Sequence, residues 1–267
     1  MQVAFVGAGT MAQAISKGAR AAHDGWDFVF YDKSSEVANR AAQNVGGHAV
    51  PEPAGVAEAD LIVLAVKPQH QSEALKDLPA TNACLVSIAA GRSLGQIEQD
   101  LRGTPNADAS VIRTMPNLNA TVGQSATAIC ANKNATKDQV QQAQALFESV
   151  GVTQDLPENL FGVFAAMAGC SPAWFFAIVD HLASGGVKHG LTKEQAIKAV
   201  TASMAGSATL LTQTLDQGGS AASLIDQVCS PGGTTIAGLL AAESRGLGPA
   251  LVDAVDAAIM RDIELGS

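Results

Sequence analysis

Two short runs, one near each end of the chain, hold the residue types and spacing best suited to chemistry. Gly7-Ala8-Gly9-Thr10-Met11-Ala12 follows the apolar run Val3 to Val6 directly and opens a helical pattern. This is the G-x-G-x-x-A form of the dinucleotide fingerprint in its required setting. Gly7 permits the tight turn, Gly9 lets a pyrophosphate reach the backbone, and Ala12 keeps the helix close to the strand. The helix start then turns free amides and the positive end of its dipole towards phosphates. At the other end, Ser230-Pro231-Gly232-Gly233-Thr234-Thr235 interrupts a helical half, and the apolar pattern resumes at once with Ile236. Proline and paired glycines cannot continue a helix, so this run is expected to be a tight loop feeding a helix N-terminus. Bare N–H donors beside hydroxyls suit a small carboxylate. A plain turn with a threonine N-cap fits the same residues, and the loop alone does not separate the two readings.

Further candidates extend the first run into a dinucleotide site. Asp32 stands about 20 residues past the fingerprint, where an acid takes the ribose 2′-hydroxyl of NAD. Lys33, Ser34 and Ser35 follow it and are able to hold the 2′-phosphate of NADP by charge and hydrogen bonds, so both cofactors stay open. Leu64-Ala65-Val66-Lys67-Pro68-Gln69 ends an apolar strand at the switch-point side of such a sheet and is expected to meet the nicotinamide ribose. Ser87-Ile88-Ala89-Ala90-Gly91 and Arg113-Thr114-Met115-Pro116-Asn117 end the next two strands and are placed to line the nicotinamide pocket.

These residues need a sheet to hold them. The first half alternates β-branched runs (Val3 to Val6, Phe28 to Tyr31, Leu61 to Val66, Leu85 to Ile88, Val111 to Arg113) with helical patterns such as Met11 to Ala22 and Glu36 to Asn44. That alternation predicts an α/β, doubly wound parallel sheet of Rossmann type. The segment from Ala126 to Asp155 reads as strand, helix (Lys137 to Val150) and strand, which closes a dinucleotide-binding domain at residues 1–156. Residues 157–267 lack strand signals and read as an all-helical domain. In it, Ile197, Val200, Met204, Ala208, Leu211 and Leu215 form a stripe at helical spacing, expected to be core. Phe161 to Ser184 is so apolar that a helix there would be buried on most of its circumference. A helical half of this size has too little interior for that, which predicts homodimerisation through it.

Composition excludes several classes. At 267 residues and 47% hydrophobic content, the chain can bury a core without cross-links. Its net charge of −9 and lack of basic clusters argue against nucleic-acid or anionic-membrane partners. Cys84, Cys130, Cys170 and Cys229 are scattered, which fits reduced thiols in a cytoplasmic protein, and the five histidines show no metal-ligand spacing. The start of the chain lacks a basic leader, and no apolar stretch is read as reaching the roughly 20 residues that span a bilayer.

Taken together, these motifs resemble the Δ1-pyrroline-5-carboxylate reductase family over the whole length. The resemblance rests on Gly7 to Ala12, Ala65-Val66-Lys67-Pro68-Gln69, Ser87 to Gly91, Met115-Pro116-Asn117, Gly190-Leu191 and above all Asp226-Gln227-Val228-Cys229-Ser230-Pro231-Gly232-Gly233-Thr234-Thr235. It implies a Rossmann domain followed by helices that interleave between two subunits, with dimers often assembled into decamers. It implies reduction of a cyclic imine by NADPH or NADH, the final step of proline synthesis. By position, the amides around Ser230, Gly232, Gly233 and Thr234 are implied to hold the substrate carboxylate, and the Thr235 hydroxyl, the candidate catalytic group, to meet the ring nitrogen. A carbonyl reductase must protonate a developing alkoxide, whereas a protonated imine accepts hydride without a placed acid, so no general acid is named.

Several positions depart from the family pattern: Cys170 and Ser171, Leu118 and Asn119, Gly218-Gly219-Ser220, and Glu52 near the expected adenine ribose. They motivate an alternative, a nicotinamide-binding sensor or scaffold without turnover, which the intact Ser230 to Thr235 run opposes. A β-hydroxyacid dehydrogenase shares the layout but places a catalytic lysine on the first helix after the sheet, and Gly169 to Ser184 contains none.

Overall fold

The computed structural model describes residues 1–266. Strand β1 (Gln2–Val6) enters helix α1 (Thr10–Ala22), followed by β2 (Asp27–Tyr31), α2 (Ser35–Val45), the two-residue β3 (His48–Ala49), β4 (Leu61–Leu64) and α3 (Pro68–Lys76). Then come β5 (Cys84–Ser87), α4 (Leu94–Leu101), β6 (Val111–Met115), β7 (Ser125–Ala131), α5 (Lys137–Glu148) and β8 (Gly151–Asp155). The eight strands form one sheet in the order β3-β2-β1-β4-β5-β6-β7-β8. The order in which successive strands are added reverses beside β1, between the parallel neighbours β2 and β4, and creates the switch point at which open α/β sheets bind ligands. Strands β1, β4 and β5 are buried along nearly their whole length, as expected where helices cover both faces. Phe5, Val63 and Val86 face one apolar layer, and Ile62, Leu64 and Leu85 the other.

Every strand expected from sequence forms, with two differences. β3 was not expected, because two residues, one of them the exposed His48, carry no period-2 signal. β7 runs antiparallel to β6, departing from an all-parallel sheet. Residues 116–124, which join them, are too few for the crossover of a dozen or more residues that a parallel pair requires.

Beyond β8 the chain is helical: α6 (Phe161–Phe164), a π-helical turn at Ala165–Cys170, α7 (Ser171–Lys188), α8 (Lys193–Asp216), α9 (Ala221–Val228), α10 (Thr234–Glu243) and α11 (Leu247–Gly266). By packing, the chain divides into two compact units, Met1–Cys170 with the chain from Ala258 on, and Ser171–Ala257. In the second unit α7 and α8 pack along each other so closely that a methyl on Gly186 would lie 3.0 Å from the Ala196 side chain. Lys193 clasps Asp180 at 2.7 Å, and this contact holds the carboxyl of Asp180 below its ordinary range.

Two expectations about this half are corrected. The α8 stripe is not core within one chain: Ile197 and Leu215 are exposed, and Pro172, Ala183 and Ala196 are the buried residues among those described in the unit. A unit this thin has no interior to receive a second apolar face. The helical run 158–188 is also long and apolar enough to cross a membrane, with a mean hydropathy of 1.7 over 18 residues and 11% of them buried. The expectation of no such stretch fails because the π-helical turn joins two apolar helices into one run.

Candidate functional site

The glycine loop has the geometry its sequence demands. Gly7 has φ +93°, and a methyl there would lie 2.7 Å from the carbonyl oxygen of Ala65, so only glycine fits against β4. Gly9 is the N-cap of α1; no side chain caps it, no acid lies in the first turn, and a methyl added to Gly9 would meet nothing within 4 Å. The Gln13 amide is the first to find an intrahelical acceptor, Gly9 O at 3.1 Å, leaving the amides of Thr10, Met11 and Ala12 ahead of it. An open approach to bare amides at a helix N-terminus is what a diphosphate requires, so these residues fit a dinucleotide.

This loop opens on a cleft of about 460 Å³ that brings together Gly7, Gly9, Asp32, Lys33, Ala65, Val66 and Lys67 from the sequence reading. Asp32 is fixed in place: one carboxylate oxygen accepts the Ala8 amide at 2.9 Å and the other the Ser34 amide at 2.9 Å. Ser34 caps α2, its hydroxyl accepting from the Val37 amide. Lys33 Nζ lies 2.8 Å from Glu73 Oε1 on α3. The hydrogen bond holds the Lys33 pKa above and the Glu73 pKa below their ordinary values. His70, Glu73 and Asp77, also in this cleft, were missed from sequence because nothing in a short polar helix marks which side chains face a ligand.

A second cleft in the same unit, about 510 Å³, is lined by Met11, Ala90, Met115, Pro116 and Asn117, as expected, and by Leu118, Ala165, Ala166, Gly169 and Cys170. Ala258, Arg261 and Asp262 of α11 complete it, and no sequence signal links them to this place. Asn117 is nearly buried; its Nδ2 donates to Ala168 O at 2.8 Å, while its Oδ1 has no partner among the described residues. A buried acceptor without a partner is costly, and a ligand N–H would satisfy it.

Polar contacts stiffen the strand ends behind these clefts. Gln71, buried, donates to Ser87 Oγ at 2.6 Å, and the Ala89 amide donates to the same oxygen at 3.3 Å. Arg113, 9% exposed, donates to Glu158 at 2.9 Å with its guanidinium 4.5 Å above the Phe161 ring. Glu158 also accepts the Leu94 amide, tying β6, α4 and the segment after β8. Of the remaining residues expected at the cofactor, Ala8, Ala12 and Ala89 are buried behind the loops, Thr10 is exposed on the first turn of α1, and Pro68 begins α3. Burial pushes the thiols of Cys84 and Cys130 up to about 12, which makes both poor nucleophiles.

In the second unit the loop after α9 turns through Gly232 at φ +67°, and the Gly233 amide closes on Ser230 O at 3.0 Å. A methyl at Gly233 would sit 2.3 Å from Ser230 Oγ. The N-cap of α10 is Gly233 without side-chain help, which corrects the threonine-cap reading. The first intrahelical donor is the Ala237 amide, so those of Thr234, Thr235 and Ile236 precede it. Ser230, Gly232, Gly233, Thr234 and Thr235 are thus gathered around bare amides, and Thr235 borders an apolar cleft of about 340 Å³ with Leu211, Leu224 and Val228.

Sheet, glycine loop and clefts define a Rossmann-type dinucleotide-binding oxidoreductase with a helical region after the sheet. Residues 2–91 match the family model described as NADP oxidoreductase coenzyme F420-dependent, and residues 158–265 that described as pyrroline-5-carboxylate reductase dimerisation. A pyrroline-5-carboxylate reductase of Synechocystis is 40% identical over 210 residues, 78% of this chain and 76% of its own length. The structure of one from Coxiella burnetii superposes with a TM-score of 0.90 at 30% identity, covering 99% of this chain and 98% of that one. One from Plasmodium falciparum, solved with NADP bound, gives 0.85 at 25% identity, covering 100% and 98%. The chain belongs to the pyrroline-5-carboxylate reductase family.

Proposed function

We propose that this protein reduces the cyclic imine 1-pyrroline-5-carboxylate to L-proline with NADPH or NADH, the last step of proline synthesis. The observation that carries this reading is the Ser230 to Thr235 loop. It feeds a helix whose N-terminus has no side-chain cap, and its hydroxyls and leading amides suit a carboxylate beside a ring nitrogen. In the other unit, the amides that open α1 hold the diphosphate, Asp32 holds the adenosine ribose, and Met115, Pro116 and Asn117 form a wall for the nicotinamide. When bound, the reduced nicotinamide supplies the hydride. The backbone amides around Ser230, Gly232, Gly233 and Thr234, the unengaged one of Thr234 among them, fix the carboxylate, and the Thr235 hydroxyl orients the ring nitrogen. Since a protonated imine needs no placed acid, these residues act by positioning, an effect worth up to roughly 7–11 kcal/mol in well-oriented systems.

Functionally, residues 1–156 serve as the dinucleotide-binding domain and 157–267 as the dimerising, substrate-binding domain. Phe176 at 62% exposure, Leu182 and Leu240 are apolar surface that a second copy of the chain covers, so the 158–188 run is an interface and not a membrane span. Dimers are the unit, and a decamer built from five dimers is the larger assembly the family resemblance implies. Four cysteines without disulfides suit the cytoplasm.

The test is loss of reduced-nicotinamide absorbance when substrate is added, with proline formed in equal amount. Thr235→Ala should lower turnover at least tenfold while leaving cofactor affinity within about twofold, since one substrate hydrogen bond is lost. Absence of turnover with either cofactor overturns the proposal.

A further inference from the structure

The ion pair at the first cleft has a consequence for which dinucleotide the cleft accepts, an inference that rests on the dinucleotide reading of that cleft. β2 ends at Tyr31, so Lys33 follows directly on Asp32, the acid that marks the adenosine ribose. Lys33 does not reach freely into the cleft: Glu73, from α3, holds its ammonium at 2.8 Å. Both side chains are more than half exposed, so the contact holds no core together, yet both line the cleft. Asp77, which ends α3, lines it too.

A 2′-phosphate brings up to about two negative charges and needs donors at this place. Of the groups beside Asp32 able to provide them, the one ammonium, Lys33, is engaged by Glu73, while the Ser34 hydroxyl accepts from the Val37 amide and keeps its own O–H to donate. The carboxylates of Asp32, Glu73 and Asp77 outnumber the ammonium groups of Lys33 and Lys67 around the cleft. A ribose 2′-hydroxyl meets no such conflict, because it donates to a carboxylate.

We infer that Glu73 is a specificity-determining residue: as counter-ion to Lys33 it takes the ammonium that a 2′-phosphate would use and adds a repelling charge, so the site favours NADH over NADPH. The position on α3, rather than the loop after β2 alone, then sets the preference.

Equilibrium titration of the full-length protein with NADH and NADPH, followed by nucleotide fluorescence and without substrate, tests this. The wild type should bind NADH more tightly. Glu73→Gln, an exposed near-isosteric change, should raise the ratio of NADPH to NADH affinity about tenfold, an effect that salt screens. Adding Lys33→Gln should remove the larger part of that gain, since the freed ammonium is one of its two sources and the lost Glu73 charge the other. A wild type that prefers NADPH, or an affinity ratio unmoved by Glu73→Gln while both dinucleotides bind, overturns the inference alone. Binding of neither dinucleotide overturns the reading of the cleft on which it rests.

Discussion

Gly7 and Gly9 sit two residues apart in one loop, and alanine at each should fail in a different way. At Gly7 the backbone has φ +93°, a region that costs an L-residue about 1–2 kcal/mol. The new methyl would lie 2.7 Å from the oxygen and 2.8 Å from the carbon of the Ala65 carbonyl, both backbone atoms at the end of β4. Such overpacking adds about 1–3 kcal/mol, so Gly7→Ala should cost about 2–5 kcal/mol in all. Against a typical total of about 5–15 kcal/mol this is a large loss, read as a fall in Tm of roughly 4–20 °C. At Gly9 the backbone, φ −72° and ψ −166°, accepts alanine, and the methyl points into open space. Stability should move by less than about 1 kcal/mol, the lower chain entropy being offset by the poorer N-cap. The same methyl projects where a diphosphate must come, so cofactor affinity should fall at least tenfold, about 1.4 kcal/mol. Thermal unfolding without ligand and dinucleotide titration, run on both variants, separate the two effects. A Gly9→Ala protein that binds as the wild type does, or a Gly7→Ala protein of unchanged Tm, would refute the division of roles.

Two further outcomes follow from contacts described above. Ser87→Ala removes the acceptor of the buried Gln71 amide and of the Ala89 N–H, and should cost about 1–3 kcal/mol in chemical denaturation; a stability equal to wild type would show that the contact does not hold the strand end. Phe176→Asp places a charge on the apolar face of α7 and should shift the protein towards monomer in sedimentation at micromolar concentration, by about 3–5 kcal/mol; an undisturbed oligomer would place the interface elsewhere.

How far the molecule was legible in its sequence differs by level. Runs such as Leu61 to Leu64, apolar at every position, β-branched at two and too short for a helix, fit central strands covered on both faces, and the fingerprint locates the first turn because Gly7 has no substitute beside Ala65. β3 is too short to show a period, and the reversal at β7 lies in the length of a loop, not in any residue of the strand. The α8 stripe was visible, but helical spacing says only that a face is apolar and not which molecule covers it. At the clefts, the loop residues were legible because backbone approach restricts residue type. Glu73 and Asp262 were not, since each is an ordinary polar residue on a helix and gains meaning only from what the fold brings next to it.

Asp32 is a structural member as well as the proposed ribose ligand. Its two oxygens join the glycine turn to the start of α2 through the Ala8 and Ser34 amides. Exchanging it to admit a different nucleotide would release both loops at once, so a change of cofactor in this lineage has to be reached through neighbours that carry no such duty. The acid thereby divides the site into parts that bear load and parts that do not: exchange at the exposed Lys33 and Glu73 leaves both loops tied, while loss of the carboxylate that follows β2 unties them together.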